Sequence, residues 1–363
     1  MKREMSKITQ RQLFFLIAQI QIGIGFLSLP FDLQKVTDGD GWISVLFAGI
    51  VIQILIFVIF ALLKRFPSLN IYEISISLLG GFVGRIINIF YISFFISTQT
   101  IILILYHKII KNWIAPRTPD WILLALVTTV SIYLTRENLR IITRFFIIAF
   151  FPFFIILFLS IYSFKDINIL YIMPIGSSGI LKIIKATEEA VISMLGFEII
   201  LVVSPFVLGK KKTQLKTLSL VNLFITLFYT LNVFLCLTFF SPIEIKLIPE
   251  PILYMIKVQS FKIIDRTDLI FLSIWIIFIT TSYMAYLYVS SVGAASLFNI
   301  KSHRKVVPYI ASLSFITAIF FNGTTAIKIF SKCITIGCYI TIAFIPFSFL
   351  LISLLKKAGV NNR

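Results

Sequence analysis

The chain has 363 residues, of which 59% are hydrophobic and 38 are Phe, and its mean hydropathy is +1.01. A water-soluble domain of this composition would expose far too much apolar surface, so the chain belongs in a membrane. The net charge of +18 comes from 33 Lys and Arg against 15 Asp and Glu. No basic cluster exceeds a short loop, which excludes a nucleic-acid surface and leaves loop charge as the useful signal.

Apolar runs long enough to cross a hydrocarbon core, about 20 residues each, predict about ten spans. They lie near residues 12–31, 42–63, 84–107, 120–135, 141–163, 183–207, 217–240, 269–292, 306–322 and 333–355. The fold class this implies is an all-α integral membrane protein with one polytopic domain over residues 1–363. A leader (1–11), a first five-helix half (12–163), a second half (183–355) and a tail (356–363) divide it. The first apolar stretch contains Gln19 and Gln21, runs into Pro30 and has no small-residue cleavage site, so it is expected to stay as the first helix.

Lys and Arg alternate between loops. One set holds Lys7, Arg11, Lys64, Arg65, Arg136, Arg140, Lys210 to Lys212, Lys301, Arg304 and Lys356, and the opposite set holds Asp32, Asp38, Asp40, Asp120, Asp166, Glu244, Glu250 and Asp268. The positive-inside rule then puts both termini in the cytoplasm, with Lys210, Lys211 and Lys212 as inner anchors.

In the first span, AQIQIGIGFLSLP places Gln19, Gln21, Gly23, Ile24 and Gly25 in mid-membrane. Freed backbone groups there are tolerated only where they line a polar cavity, and glycine lets a ligand approach them. Close helix packing is the plainer use of the same glycines. Five spans later SMLGFEI carries Gly196 and Glu198. An intramembrane carboxylate must face protein or water, so Glu198 is a functional candidate or the buried partner of a Lys, an Arg or a helix end. Matching breaks in two halves are what an inverted-repeat transporter fold predicts.

No nucleophile elbow, phosphate-binding Gly-rich loop, His-Glu-x-x-His or zinc framework occurs, so the chain is read as no enzyme, with no metal and no cofactor. The three cysteines, Cys236, Cys333 and Cys338, fall in apolar spans and are expected to pack there. His107 and His303 have no companion at ligand spacing.

Five stretches in fixed order carry a family likeness: IGIGFLSLP, DGWISVLFAGI, FPSL, LGFEIILVVSPF, and IIDRTDLIFLSIWIIFITTS from Ile263. With them the chain resembles the B subunits of GerA-type nutrient germinant receptors of endospores, a branch of the amino acid, polyamine and organocation permease superfamily. The resemblance implies a leucine-transporter-like 5+5 inverted repeat with broken helices 1 and 6. It also implies a small nutrient in the core, A and C partner subunits, and a place in the spore inner membrane. Carried over at matching positions, Gly23, Ile24, Gly25, Leu195 and Gly196 face the nutrient. The third and eighth helices add Phe94 to Gln99 and Thr280 to Ser282, with Thr281 ranked first. Gln19, Gln21, Gln99, Glu198 and Ser282 are the expected polar core. Ser241 to Asp268 is expected to form a lid-like loop, with Arg266 paired to Asp265 and Asp268. The rival reading is a secondary amino acid permease.

Overall fold

The computed structural model describes residues 7–23, 25–259, 266–321 and 323–356. Among these no strand forms beyond one isolated parallel bridge, Ile8 with Val207. Ile24, Asp265, residues 1–6 of the leader and residues 357–363 of the tail lie outside the described residues.

Helix α1 (Gln10–Gln21) starts at Thr9, whose hydroxyl accepts from Gln12 N at 3.2 Å while Gln12 Oε1 accepts from Thr9 N at 2.8 Å. This reciprocal pair satisfies two donors that a helix start leaves open. α2 (Gly25–Thr37) follows at a 51° bend, so the first span is broken where the glycines stand. α3 is Gly41–Arg65.

α4 (Ile71–Trp113) differs from the expected third span at both ends. Its first turns form a separate short helix, capped by Asn70 and Glu73 in the same reciprocal way, and Gly80 at φ 81° turns the chain into the span proper. A Cβ on Gly84 would lie 2.7 Å from Ile76 Cα, so only glycine lets the short helix fold back this closely. Apolar content alone misses such a helix, because its sequence, IYEISISLL, has a buried and an exposed face.

α5 (Asp120–Thr135), α6 (Leu139–Ala149) and α7 (Phe153–Tyr162) complete the first half, with α6 and α7 sharing one span. α8 (Ile180–Ser193) opens the second half and meets a run over Phe197–Phe206, including α9 (Ile200–Val203), at 55°. Then come α10 (Lys211–Phe239), α11 (Pro251–Val258), α12 (Thr267–Leu297) and α13 (Val307–Phe320). The last span is α14 (Thr324–Cys338), a π-helical stretch Tyr339–Phe344, and α15 (Ile345–Leu355).

Ten helical spans therefore occupy the ten expected places. Among the described residues six helical stretches are long and apolar enough to cross a membrane singly, and the two bent pairs, counted as one span each, raise the number to eight. The shorter α5 and α13 take the fourth and ninth places. Equivalent members of the halves pack on each other: α3 on α10, α4 on α12, α5 on α13. This pairing of each span with the one five later is the arrangement an inverted repeat produces.

Large apolar side chains point outward along these helices, among them Ile50, Ile54, Phe57, Leu220, Leu223 and Leu227. That pattern suits hydrocarbon as solvent. Cys236 and Cys338 are buried, whereas Cys333 is exposed, so the expectation that all three pack inside is corrected for Cys333: it lies on the outward face of α14.

On the side opposite the leader, loops are tied by charge. Asp40 accepts from Gly176 N at 2.7 Å and Ser178 N at 3.1 Å. Asp38 holds Lys246 at 2.6 Å and Lys182 at 3.7 Å, which straps the 241–250 loop over the bundle. His107 and Lys111 both reach Asp120. The Lys246 hydrogen bond holds the Asp38 carboxyl below the usual carboxylate range. A depressed carboxylate stabilises above its unfolded pKa, and that contribution is lost as pH falls through the folded value. Asp38→Asn is accordingly expected to speed hydrogen exchange in 241–250 at neutral pH. Its difference from the parent should begin to shrink as pH drops below about 4 and vanish below the lowered folded value. An exposed pair of this kind contributes less than about 1 kcal/mol, so no change in global melting is expected.

Candidate functional site: a cavity at two helix breaks

Opening a helix in mid-membrane frees carbonyls that need partners, and polar side chains in this core supply them. Tyr229 on α10 donates to Gln21 O at 2.7 Å and to Ser193 O at 3.1 Å, so one hydroxyl ties both breaks. Gln21 Nε2 donates to Met194 O at 2.8 Å, linking the first break directly to the second. Ser282 on α12 donates to Ile20 O at 3.2 Å and to Phe278 O at 2.9 Å.

At the second break Gly196 takes φ 135°, a conformation that L side chains rarely adopt, and a Cβ there would lie 2.8 Å from Ile20 Cγ2. Glu198 is fully buried. Its Oε2 accepts from Gly196 N at 2.7 Å and its Oε1 from Tyr286 OH at 2.6 Å. The carboxylate is thus partnered by a helix end and a tyrosine, and no Lys or Arg reaches it among the described residues.

Between the breaks, α1, α2, α4, α8, α12 and α14 line a partly open cavity of about 590 Å³. Gly23, Gly25, Leu195 and Ser282 line it. Gly196 lies behind the wall against Ile20 and Gln21. Phe94 is buried beside Gly337 and Phe95 instead, and α4 meets the cavity through Thr98, Ile101, Ile102 and Leu105. Thr281 is buried with its hydroxyl on Ile277 O and Phe278 O of its own helix, so the structure puts Ser282 and not Thr281 on the wall. Ile24 lies outside the described residues.

The remaining polar candidates sit deeper. Gln99 Oε1 accepts from Ser290 OH at 3.2 Å, while its Nε2 has no partner among the described residues. Neither amide atom of Gln19 has one either. Sequence reasoning missed Ser28, Asp32, Glu188, Glu189, Tyr286 and Lys332, all on the cavity wall. For Glu188 and Glu189 a signal existed: they fall inside the apolar run 183–207, where an acid asks for a polar environment as Glu198 does. Asp32 was hidden by its place just after Pro30, which reads as a loop.

Backbone bonds tie the leader to the end of the sixth span, and the cavity continues away from the leader. Ile8 N donates to Phe206 O at 2.8 Å, and Leu208 N donates to Ile8 O at 2.8 Å. Thr217 OH donates to Gln10 Oε1 at 3.0 Å, which fastens the start of α1 to α10. Away from the leader a second cavity of about 530 Å³ adjoins the first, sharing Ser28, Asp32, Leu105, Glu189 and Ser331, and reaches Pro249 and Glu250 of the 241–250 loop. Arg266 pairs with Asp268 through two nitrogens at 3.0 and 2.9 Å, fixing the start of α12.

Two five-span halves, each opening on a broken helix and lining a shared core cavity, define a leucine-transporter-like membrane protein. MhsT, solved in complex with L-phenylalanine, has the same fold: TM-score 0.70 at 13% identity, over 94% of this chain and 98% of that one. Residues 7–327 match the family of spore germination proteins, and the chain belongs to it. It is 28% identical to spore germination protein GerQB of Bacillus cereus over 89% of each chain. It is 26% identical to spore germination protein YndE of Bacillus subtilis (strain 168) over 82% of each. Against spore germination protein B2 of the same strain it is 21% identical over 94% of this chain and 96% of that one.

Proposed function

We propose that this chain is the nutrient-sensing B subunit of an endospore germinant receptor in the spore inner membrane. It binds a small nutrient (an amino acid, nucleoside or sugar) at the paired breaks and signals through A and C subunits. The observation that carries this reading is the cavity at the two breaks, continuous with a vestibule on the side away from the leader. With both termini facing the spore core, the vestibule admits a nutrient from outside. A ligand shifts a conformational equilibrium only by its differential affinity for the two states. The parts that would differ are the bonded breaks: Gly23, Ile24, Gly25, Leu195 and Gly196 with Ser282.

Ser282→Ala removes one hydrogen-bonding hydroxyl from the wall, a loss of about 0.5 to 1.5 kcal/mol. The nutrient concentration for half-maximal germination should rise roughly two- to tenfold. Thr281→Ala, whose hydroxyl serves its own helix, should move it less. The permease reading is separated by transport. In vesicles holding the purified complex, labelled nutrient should bind saturably without accumulating beyond site stoichiometry. Accumulation driven by a proton or sodium gradient and lost in Ser282→Ala would establish the carrier.

A further inference from the structure

A further cavity of about 590 Å³ shares no lining residue with the one at the helix breaks. The starts of α4 and α6, the last turns of α12 and the loop 300–304 wall it. Phe206 is also on the wall, and its carbonyl accepts from Ile8 N, so this space lies at the leader-side end of the bundle.

Donors without acceptors gather there. Lys301 is on the wall and has no ion-pair or hydrogen-bond partner among the described residues. Arg304, beside it, reaches Glu137 only at 3.5 Å and Asn138 Oδ1 at 3.3 Å. Asn138 therefore spends its side-chain oxygen on Arg304 and does not cap α6, whose first turn carries no acid. The Leu139 and Arg140 amides that open this 11-residue helix have no acceptor among the described residues. A bare helix start of this kind carries partial positive charge and favours an anion. Glu73 is the one carboxylate on the wall, and it is already engaged: its Oε2 accepts from Asn70 N at 3.0 Å in the cap of α4.

The second, independent observation is Tyr288. It is only 6% exposed and lines the cavity, yet its hydroxyl has no hydrogen-bond partner among the described residues. Its ring is held by an edge contact with His303 at 5.0 Å between centroids, and His303 Nε2 donates to Thr135 O at 3.2 Å. Buried tyrosines ordinarily find a partner for the hydroxyl. Here the cavity is where that partner fits. Two cations, open helix amides and a phenol together suit the several oxygens of a phosphate better than the two of a carboxylate. Phe206, Val292, Ala295 and Ile300 make the rest of the wall apolar, which suits the carbon part of an ester. We propose that this cavity is a phosphate site: Lys301, Arg304, the first amides of α6 and the Tyr288 hydroxyl hold the phosphate group of an organic phosphate, supplied either by a soluble ester or by a phospholipid headgroup. The site is independent of the nutrient reading.

The test uses the full chain in dodecyl maltoside, and two arms distinguish the sources. Calorimetry compares glycerol 3-phosphate with glycerol, and native mass spectrometry compares dioleoylphosphatidylglycerol with dioleoylglycerol, which lacks the phosphate. In at least one arm the phosphate-bearing probe should bind and its phosphate-free twin should not; the arm that responds names the source. Arg304→Gln and Tyr288→Phe should each weaken that probe about 10- to 100-fold, since each loses a hydrogen bond to a charged group. Without probe, Tyr288→Phe should melt like the parent, because the hydroxyl it removes has no partner in the protein. Binding that ignores the phosphate in both arms overturns the site, and that comparison needs only the parent chain should Arg304→Gln fail to fold. So do variants that bind the probe like the parent, or a Tyr288→Phe protein that melts lower in the absence of any probe.

Discussion

Glu198→Leu is expected to remove the protein from the membrane or to abolish its germination response, whereas Glu198→Gln should be nearly tolerated. Leucine fills much of the volume but accepts nothing, leaving Gly196 N–H and Tyr286 O–H both unpartnered in a fully buried place. Each orphaned group costs about 1 to 3 kcal/mol, so the pair takes about 2 to 6 kcal/mol from a fold whose whole stability is on the order of 5 to 15. The amide behaves differently. Its oxygen can accept from Gly196 N while its NH2 donates to the Tyr286 oxygen, because a phenol can accept as well as donate. Tyr286→Phe should fall between the two, since it removes one donor and leaves the link to Gly196. The readouts are the amount of protein in spore membranes, the melting midpoint in detergent and the nutrient dose-response. A Leu variant that melts and germinates like the parent would sink the assignment of Glu198 as the clasp between the second break and α12.

That clasp shows where sequence reading reaches and where it stops. The ten spans and both breaks were legible, because spanning helices read as long apolar runs in which each Gly or acid is conspicuous. Glu198 was legible as a residue needing a partner. Its partner was not: Tyr286 lies 88 positions away, and which face of α12 meets the second break depends on how the two halves pack. The same holds for Thr281 and Ser282, adjacent in sequence and about 100° apart around the helix. One turns its hydroxyl to its own helix and the other lines the cavity. Phe94 and Thr98 are one helical turn apart on α4, and only Thr98 lines the cavity. The motif located the third helix and the packing chose the side chain. The short helix before Gly80 was hidden for another reason, since it is amphipathic and not continuously apolar.

Gly23 and Gly25 offer the sharpest separation of cavity from packing, because the two glycines of one motif meet different surroundings. A Cβ on Gly25 would lie 2.6 Å from both Cβ and Oγ of Ser193 and 2.7 Å from its Cα. The last of these is backbone, which cannot swing aside, so even Gly25→Ala must push α2 away from α8 and disturb both breaks. Overpacking of this kind costs about 1 to 3 kcal/mol, and Gly25→Leu should cost more, with loss of melting stability and of the germination response together. A Cβ on Gly23 meets only Ile20 O at 3.4 Å, an ordinary contact. Gly23→Ala should therefore fold normally and add one methyl to the cavity wall, so that the nutrient response shifts while the melting midpoint stays. Ser193→Gly combined with Gly25→Ala removes two of the three close contacts and leaves the one to Cα. The double variant should recover part of the lost stability and not all of it. Measured melting of the four variants beside the parent decides the point: a Gly25→Leu protein as stable and responsive as the parent refutes the close crossing of α2 and α8. An unaltered nutrient response in Gly23→Ala takes Gly23 out of the binding surface.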